Sequence, residues 1–373
     1  MFQKMIQSKY YDQMKSWGSG NSIKFCLGAD VGASGIRFRF SNANNQDQFF
    51  EPGHIKLSSA RQFHNLFDKL SKEIKKNVPG ATCVGSSIAC AGLRKEDTVQ
   101  VMNWKGSSEY QTIHISKINQ QLFPYQHSLM MNDLEAGGYG IISLAKDKNR
   151  ANKYFKKLWG PRGGSLLSSF YNTAIMAMGS GLGSALILAE HDTNTHVVIP
   201  TESGYLMSSS HLDKHIKYSD QIQTMNFVSD LYFDGQLNPP FEDLASGHGL
   251  VDDYKALMNN PKLKIDASKI AKKAKGGDSL AKTAMKNHYI YFTKLAKQFA
   301  YGLNCRSIVM ALSNQVSNKW LIDEIQNELE AEFKDTPEWR TVDQVSVYSQ
   351  VEDVNVNIVG TTYMAHYCST HKL

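Results

Sequence analysis

Residues 23–40, Ile-Lys-Phe-Cys-Leu-Gly-Ala-Asp-Val-Gly-Ala-Ser-Gly-Ile-Arg-Phe-Arg-Phe, decide the fold class of this chain. An apolar run leads into a turn rich in small residues, and beyond the turn apolar residues alternate with arginines. Residues 173–189 repeat the arrangement, with Gly-Ser-Gly-Leu-Gly between two apolar runs. Both segments predict a strand, a tight turn and a second strand. Helical periodicity elsewhere, as in residues 59–76, makes the chain mixed α/β.

The two turns carry groups that can hold phosphate. The first turn offers a carboxylate, a close backbone approach and a hydroxyl, and the second frees backbone N–H groups from side chains. Each turn alone is equally explained as an ordinary β-turn. Together, about half a chain apart, they predict a clamp on a polyphosphate from opposite sides of a cleft. Neither turn has the ending of a P-loop or the helix of a dinucleotide fingerprint. The candidate phosphate-binding residues are Asp30, Gly32, Ser34, Gly179, Ser180 and Gly181.

A strand that passes directly into a helix predicts a catalytic corner at Asn132-Asp133. The Asp133 carboxylate can accept the proton of a substrate hydroxyl as that oxygen attacks phosphorus. The alternative is a helix N-cap, in which Asn132 or Asp133 only satisfies the first helical amides.

Two further carboxylates, Glu202 and Glu242, stand beside turn residues. A carboxylate is a pure acceptor and can take hydrogen bonds from two adjacent sugar hydroxyls. Surface charge explains each of them as well, and the helix dipole explains Glu242. Asn103 offers an amide donor and acceptor, although an asparagine at a strand end is usually a turn former.

Composition excludes several classes of protein. The 373 residues carry 41 basic and 35 acidic side chains, and a net charge of +6 does not require nucleic acid. The five cysteines are scattered, with no short-spaced pair for a zinc or redox site. The sequence shows no secretion signal and no apolar stretch that could span a membrane. We therefore expect reduced thiols and a cytoplasmic location. The final His-Lys-Leu is only a distant match to a peroxisomal address.

Taken in order, the motifs resemble those of the bacterial-type glucokinases, a group shared with protists within the actin, hexokinase and heat-shock chaperone superfamily. Residues 30–37 are similar to the first phosphate motif, residues 131–140 to the segment that bears the catalytic aspartate, and residues 179–183 to the second phosphate motif. Glu202 and Glu242 fall on the sugar-binding glutamates. The resemblance extends from about Phe25 to Tyr367.

The resemblance implies a two-domain α/β fold of the ribonuclease-H-like, actin-like ATPase type, with a cleft between the domains. We place a helical appendage at residues 1–22, a small domain at 23–132 joined by a terminal helix near 358–367, and a large domain at 133–357.

It also implies the roles of residues. Asn132, Glu202 and Glu242 would hold glucose, with Asn103 as a further contact, and Asp133 would deprotonate the 6-hydroxyl. ATP would donate the phosphoryl group, and Asp30 would help to position Mg²⁺ through water. A homodimer is expected.

Departures from the family pattern keep alternatives open. Tyr205 stands where many members have a sugar-binding histidine, so a kinase for another hexose such as mannose or N-acetylglucosamine is a rival, and a non-catalytic sugar sensor is a weaker one. Residues 311–314, Ala-Leu-Ser-Asn, replace the Gly-Gly pair of the adenosine-binding turn.

Overall fold

The computed structural model describes residues 6–18, 22–32, 34–101, 104–190, 195–209 and 219–372. These residues form two compact units. The first unit contains the described residues up to Lys146 and those from Asn355 onward, and the second is Asp147–Val354. A two-unit α/β chain is what the sequence predicts.

The first unit is built on a mixed six-stranded sheet. Its central strands β1, β5 and β9 run parallel to one another, and the hairpin partner β2 pairs antiparallel with β1. A separate three-stranded antiparallel sheet contains β6, β7 and β8. The strands of this unit are β1 (Ile23–Gly32), β2 (Gly35–Asn42), β3 (Asn45–Phe50), β4 (His54–Ile55), β5 (Ala81–Cys90), β6 (Leu93–Lys95), β7 (Thr98–Gln100), β8 (Thr112–His114) and β9 (Ser128–Asn132).

Helices of the first unit cover this sheet. Helix α2 has a strongly one-sided apolar face and begins where the Ser59 hydroxyl accepts the Gln62 N–H at 3.3 Å. The N-terminal segment is part of the core, because Tyr11 and Met14 are buried in the same apolar cluster as β1. The helices are α1 (Ser8–Lys15), α2 (Ala60–Asn77), α3 (Ser108–Gln111), α4 (Asp133–Ala145) and, last in the chain, α14 (Val356–Thr370).

The terminal helix α14 packs tightly on α4. A Cβ at Gly360 would lie 1.7 Å from the carbonyl oxygen of Ala136, and one at Gly140 would lie 2.1 Å from that of Val356. Only glycine allows the two backbones to approach this closely. The helix that begins at Asp133 therefore belongs to the first unit, whereas our expectation places it at the start of the large domain.

The second unit has a six-stranded sheet in the order β10-β15-β14-β11-β12-β13. Strands β11, β14 and β15 are parallel, and β11 and β12 form the second glycine hairpin. The strands are β10 (Phe155–Trp159), β11 (Asn172–Met178), β12 (Leu182–Glu190), β13 (Thr195–Thr201), β14 (Cys305–Ala311) and β15 (Ser346–Gln350).

A long buried helix, α10, forms the centre of the second unit's core. Asp278 caps it by accepting the Ala281 N–H at 2.9 Å, and its Tyr289 and Phe292 are completely buried. The remaining helices are α5 (Lys148–Tyr154), α6 (Ser219–Phe233), α7 (Glu242–Ala245), α8 (Gly247–Leu257), α9 (Ala267–Lys275), α10 (Ser279–Gly302), α11 (Ser313–Ser317), α12 (Lys319–Lys334) and α13 (Trp339–Asp343).

Some local predictions are wrong. The helix expected at residues 113–122 is instead strand β8 followed by a single 3-10 turn, because β8 pairs with β7. The continuous helix expected at 241–258 is broken at Ser246, whose hydroxyl caps α8 by accepting the Gly249 N–H at 3.3 Å. Every helix of the described residues is too short or too polar to traverse a lipid bilayer.

Candidate active site

The candidate residues of the first unit meet at one edge of its sheet. Val31 of β1 is level with Cys90 of β5, and Cys90 is level with Asn132 of β9. Because these strands are parallel, their carboxyl ends share an edge, where ligands bind in open α/β sheets. Asp30 and Asp133 are thus brought to the same edge although they are 103 positions apart in the sequence.

Asn132 and Glu135 cap the helix that starts at this edge, and Asp133 contributes to the cap. Asn132 Oδ1 accepts the Leu134 N–H at 2.8 Å, and Glu135 Oε2 accepts the Asn132 N–H at 3.2 Å. This reciprocal pair is a capping box. Asp133 Oδ1 also accepts the Leu134 N–H, at 3.0 Å. The N-cap interpretation is therefore correct for Asn132, and the half-buried Asp133 shares in the same cap.

Asp30 is buried, and two asparagines hold its carboxylate. Asn355 Nδ2 donates to Asp30 Oδ2 at 2.8 Å, and the Asn357 side chain also hydrogen bonds to Asp30. Burial raises the pKa of Asp30, whereas these hydrogen bonds and the charge of Arg37 lower it. Sequence reasoning missed both asparagines because they follow Asp30 by more than 300 residues. The local signal for Asn355 is its place as the N-cap of α14.

The thiol of Cys90 lies among these carboxylates. Burial raises its pKa most, and the charges of Asp133 and then Asp30 raise it further. The Cys90 side chain is fully buried and remains a neutral thiol, so it contributes packing and not charge to this edge.

The first turn leaves room beside its backbone. A Cβ built on Gly32 would have no heavy atom within 4 Å, so the space in front of this residue is open. The exposed Ser34 hydroxyl is 3.3 Å from Nε2 of His54, a contact that the sequence does not predict. Burial, Arg37 and Lys56 lower the pKa of His54, and Asp30 raises it.

The second turn uses part of its own backbone internally. The Gly179 N–H donates to the Gly181 carbonyl at 2.7 Å, and the Gly179 carbonyl accepts the Gly247 N–H at 2.9 Å. Asn314 Nδ2 donates to the Met178 carbonyl at 2.8 Å and fixes the strand end before the turn. Within the described residues, the amides of Ser180 and Gly181 have no partner and can receive an anion. The Gly179 amide, by contrast, is engaged within the turn.

Glu242 packs against this turn. Its Oε2 accepts the Leu182 N–H at 2.6 Å, and a Cβ at Gly181 would lie 2.9 Å from Oε1. Gly204 makes the other wall, since its Cβ would lie 3.1 Å from Oε2. A side chain at Gly181 or Gly204 would displace the carboxylate, so glycine at these positions serves Glu242 as well as the turn.

Glu202 and Tyr205 lie near the Glu242 carboxylate. Burial raises the pKa of Glu242 most, the Leu182 amide and His248 lower it, and Asp243 and Glu202 raise it again. The charge of Glu242 is also the main reason that the pKa of Tyr205 is raised. Tyr205 is 64% exposed and Glu202 is exposed, whereas Glu242 is half-buried.

The structure thus gathers the candidates into two groups, one in each unit. The first unit holds Asp30, Gly32, Ser34, Asn132 and Asp133, and the second holds Gly179, Ser180, Gly181, Glu202 and Glu242. Asn103 lies outside the described residues.

Comparison of this chain with known proteins shows which family it belongs to. The sequence model of the family described as Glucokinase matches residues 27–312. Glucokinase 1 of Trichomonas vaginalis is 38% identical over 372 residues, which cover 97% of this chain and 98% of that protein. The chain belongs to the glucokinase family. The predicted family is therefore confirmed.

Solved structures of the family share the fold. The crystal structure of glucokinase from Balamuthia mandrillaris in complex with glucose has a TM-score of 0.85 and 26% identity, and the match covers 96% of this chain and 99% of that one. A ROK family glucokinase from Streptomyces griseus in complex with glucose and AMPPNP has a TM-score of 0.56 and 15% identity over 92% of this chain and 99% of that one. The actin-like two-domain α/β fold is confirmed, and the chain is a sugar kinase of this family.

Proposed function

We propose that this chain is a glucokinase that transfers the γ-phosphoryl group of ATP to the 6-hydroxyl of glucose, giving glucose 6-phosphate and ADP. The observation that carries the proposal is the Asn132-Asp133 corner. A carboxylate stands at the carboxyl end of β9, on a helix start that its neighbours already cap. The glucose-bound Balamuthia relative supports the choice of sugar.

Asp133 acts as the general base in this proposal. Its carboxylate accepts the proton of the 6-hydroxyl while that oxygen forms a bond to the γ-phosphorus. The bond between the γ-phosphorus and the β,γ-bridging oxygen breaks, and its electron pair leaves with ADP. Asp133 then returns the proton to solvent. Alignment of the two reactants contributes most of the acceleration, because a loose phosphoryl-transfer transition state leaves little covalent work for the protein.

The sugar is held by carboxylates and amides. Glu242 keeps acceptor capacity after its bond to the Leu182 N–H, and Glu202 is exposed beside it. We propose that these two residues accept hydrogen bonds from neighbouring glucose hydroxyls, and that Asn132, with Asn103, contributes amide contacts. Carboxylates in this role favour ligands with adjacent hydroxyl donors.

The phosphates of ATP meet the glycine turns in this proposal. Ser180 and Gly181 offer unpartnered amides, and Gly32 and Ser34 offer open space and a hydroxyl. The AMPPNP-bound Streptomyces relative supports ATP as donor.

The residues also fit Mg²⁺ carried by the nucleotide. The described residues contain no cluster of three or more His, Cys, Asp or Glu side chains that could cage a metal ion. Mg²⁺ in kinases is held by one or two carboxylates, waters and substrate phosphates, and Asp30 supplies a carboxylate of this kind. Because Asn355 and Asn357 occupy part of that carboxylate, contact through water suits it. When bound, Mg²⁺ would neutralise charge on the β- and γ-phosphates.

A kinase for another hexose is the second candidate, and Tyr205 is the observation that favours it. Its phenol lies close enough to Glu242 and Glu202 for their charges to raise its pKa. A homodimer remains a prediction from the family resemblance, and a cytoplasmic location remains a prediction from the sequence, which shows no secretion signal.

A coupled assay across sugars and phosphoryl donors tests the proposal. We expect kcat/KM for glucose with ATP to exceed the values for mannose and N-acetylglucosamine. A higher value for either sugar would establish the second candidate, and binding of sugar without turnover with any donor would make the chain a sensor.

A further inference from the structure

Gln350 is the last residue of β15, and its side-chain amide is completely buried. The amide makes hydrogen bonds to two segments of the chain, Leu312 after β14 and residues 352–354 after β15. Its Oε1 accepts the Leu312 N–H at 2.9 Å. Its Nε2 donates to the carbonyls of Glu352 and Val354, both at 3.0 Å. The amide itself is buried, so a side chain without these three bonds would leave Gln350's partners to find other acceptors and donors at a partly buried site, which costs stability.

The first of these bonds holds Leu312, a strained residue beside the second glycine turn. Leu312 follows β14 with φ 78° and ψ 170°, a conformation in which nearly all residues are glycine. Strand β14 is level with β11 at Ala311 and Ala177, so Leu312 stands next to the strand end that precedes Gly179. Such a conformation persists only where surrounding contacts hold it, and the Gln350 side chain is the contact that receives the Leu312 N–H.

The bonds to Glu352 and Val354 hold the segment just before Asn355, the residue that donates to Asp30. Val354 is the last residue of the second unit and Asn355 is the first of the returning segment. Asn355 Nδ2 donates to Asp30 Oδ2 at 2.8 Å, and Asn355 Oδ1 accepts the Ile358 N–H at 3.0 Å. One peptide bond therefore separates a carbonyl held by Gln350 from the asparagine that holds Asp30.

We propose that Gln350 is a positioning residue for the phosphoryl-donor side of the reaction. It holds the Leu312 backbone next to the glycine turn, and it holds the segment 351–354 so that Asn355 meets the Asp30 carboxylate. Gln350 does not touch substrate in this account. The proposal rests on the function proposed above, because it assigns Asp30 to the donor and its Mg²⁺.

Gln350→Met tests the proposal, because methionine keeps the volume and removes all three hydrogen bonds. Ser349→Ala is the matched control: its buried hydroxyl on β15 donates to Gln315 Oε1 at 3.3 Å and contacts the Gln350 main-chain carbonyl at 3.5 Å, so its loss leaves all three bonds of the Gln350 side-chain amide in place. Hydrogen–deuterium exchange of the unliganded protein is read on peptides that cover Leu312 and residues 355–359. We expect exchange there to rise about tenfold in Gln350→Met, the effect of losing a buried hydrogen bond, and to stay unchanged in Ser349→Ala.

Steady-state kinetics give the second readout. We expect the Mg²⁺ concentration for half-maximal kcat and the KM for ATP to rise about tenfold in Gln350→Met, with the KM for glucose changed less than twofold. Should Gln350→Met not fold, the same measurements on Gln350→Met with Leu312→Gly, compared with Leu312→Gly alone, remove the strain and retain the test.

Two outcomes would overturn the inference. One is unchanged exchange at residues 355–359. The other is an equal rise in the KM for glucose and for ATP, which would indicate that the substitution destabilises the whole fold. If the wild-type protein phosphorylated no sugar, the proposed function would fail while the exchange result still decided the role of Gln350 in holding these segments.

Discussion

Replacing Asp133 with asparagine separates the two readings of the strand-to-helix corner. Asn132 and Glu135 form the capping box, and an asparagine oxygen at position 133 can still accept the Leu134 N–H, so the helix start loses the favourable interaction of a negative charge with the helix dipole. That interaction is worth about 0.3–1 kcal/mol. Loss of a general base lowers kcat by about 10²–10⁴-fold, or about 2.7–5.4 kcal/mol in activation free energy. The two effects differ enough to be measured apart.

The assay is glucose 6-phosphate formation with ATP, combined with thermal unfolding. We expect Asp133→Asn to lower kcat by at least about 10²-fold while the free energy of unfolding changes by less than about 1 kcal/mol. Glu135→Gln is the matched control, since it removes a carboxylate from the same first turn and lies outside the proposed site. The catalytic role is refuted if Asp133→Asn keeps kcat within about threefold of wild type, a change too small for a general base, or if Glu135→Gln loses as much.

Three further predictions concern the second unit. Glu202→Gln keeps the shape of the side chain and removes its charge, so the KM for glucose should rise about tenfold with little change in kcat; an unchanged KM would remove Glu202 from the sugar site. Gly181→Ala places a Cβ 2.9 Å from Glu242 Oε1, whereas a Cβ at Gly179 would lie 3.8 Å from the Gly181 carbonyl oxygen. Gly181→Ala should therefore raise the KM for glucose about tenfold and Gly179→Ala should not, as saturation curves for the two variants would show. Burial raises the pKa of Asp253 to about 8, above its value of about 3.9 in an unfolded chain, so the folded state binds the extra proton and stability falls as pH rises from about 4 to 8. Thermal unfolding across this range should show a slope of up to about 1.4 kcal/mol per pH unit from this group, absent in Asp253→Asn, and equal slopes for the two proteins would contradict the assignment.

Sequence reasoning succeeded where a local pattern decides the structure. Both glycine hairpins form as predicted, with Gly32 opposite Gly35 and Met178 opposite Leu182. Alternation of side chains and turn chemistry are properties of a few adjacent residues, so they can be recognised without knowing the rest of the fold. The corner at Asn132 is local in the same sense, and its cap and following helix are present.

Sequence reasoning failed where contacts between residues far apart in the chain determine the structure. The segment at β8 has enough apolar residues for a helix, yet pairing with β7 makes it a strand, because tertiary contacts override weak local preference. The contact between Asn355 and Asp30 joins residues 325 positions apart and leaves no local trace. The engagement of Glu242 with the Leu182 amide, 60 positions away, is of the same kind.

The return of the chain to its first unit has a consequence for biosynthesis. Helix α4, which carries Asp133, is packed against α14, and α14 is made only after the whole of Asp147–Val354. On the ribosome the second unit can fold as a continuous stretch, whereas the first unit is complete only after the residues from Asn355 onward have followed it. A nascent chain that has not yet released α14 therefore lacks the helix that packs against α4, the helix that begins at Asp133.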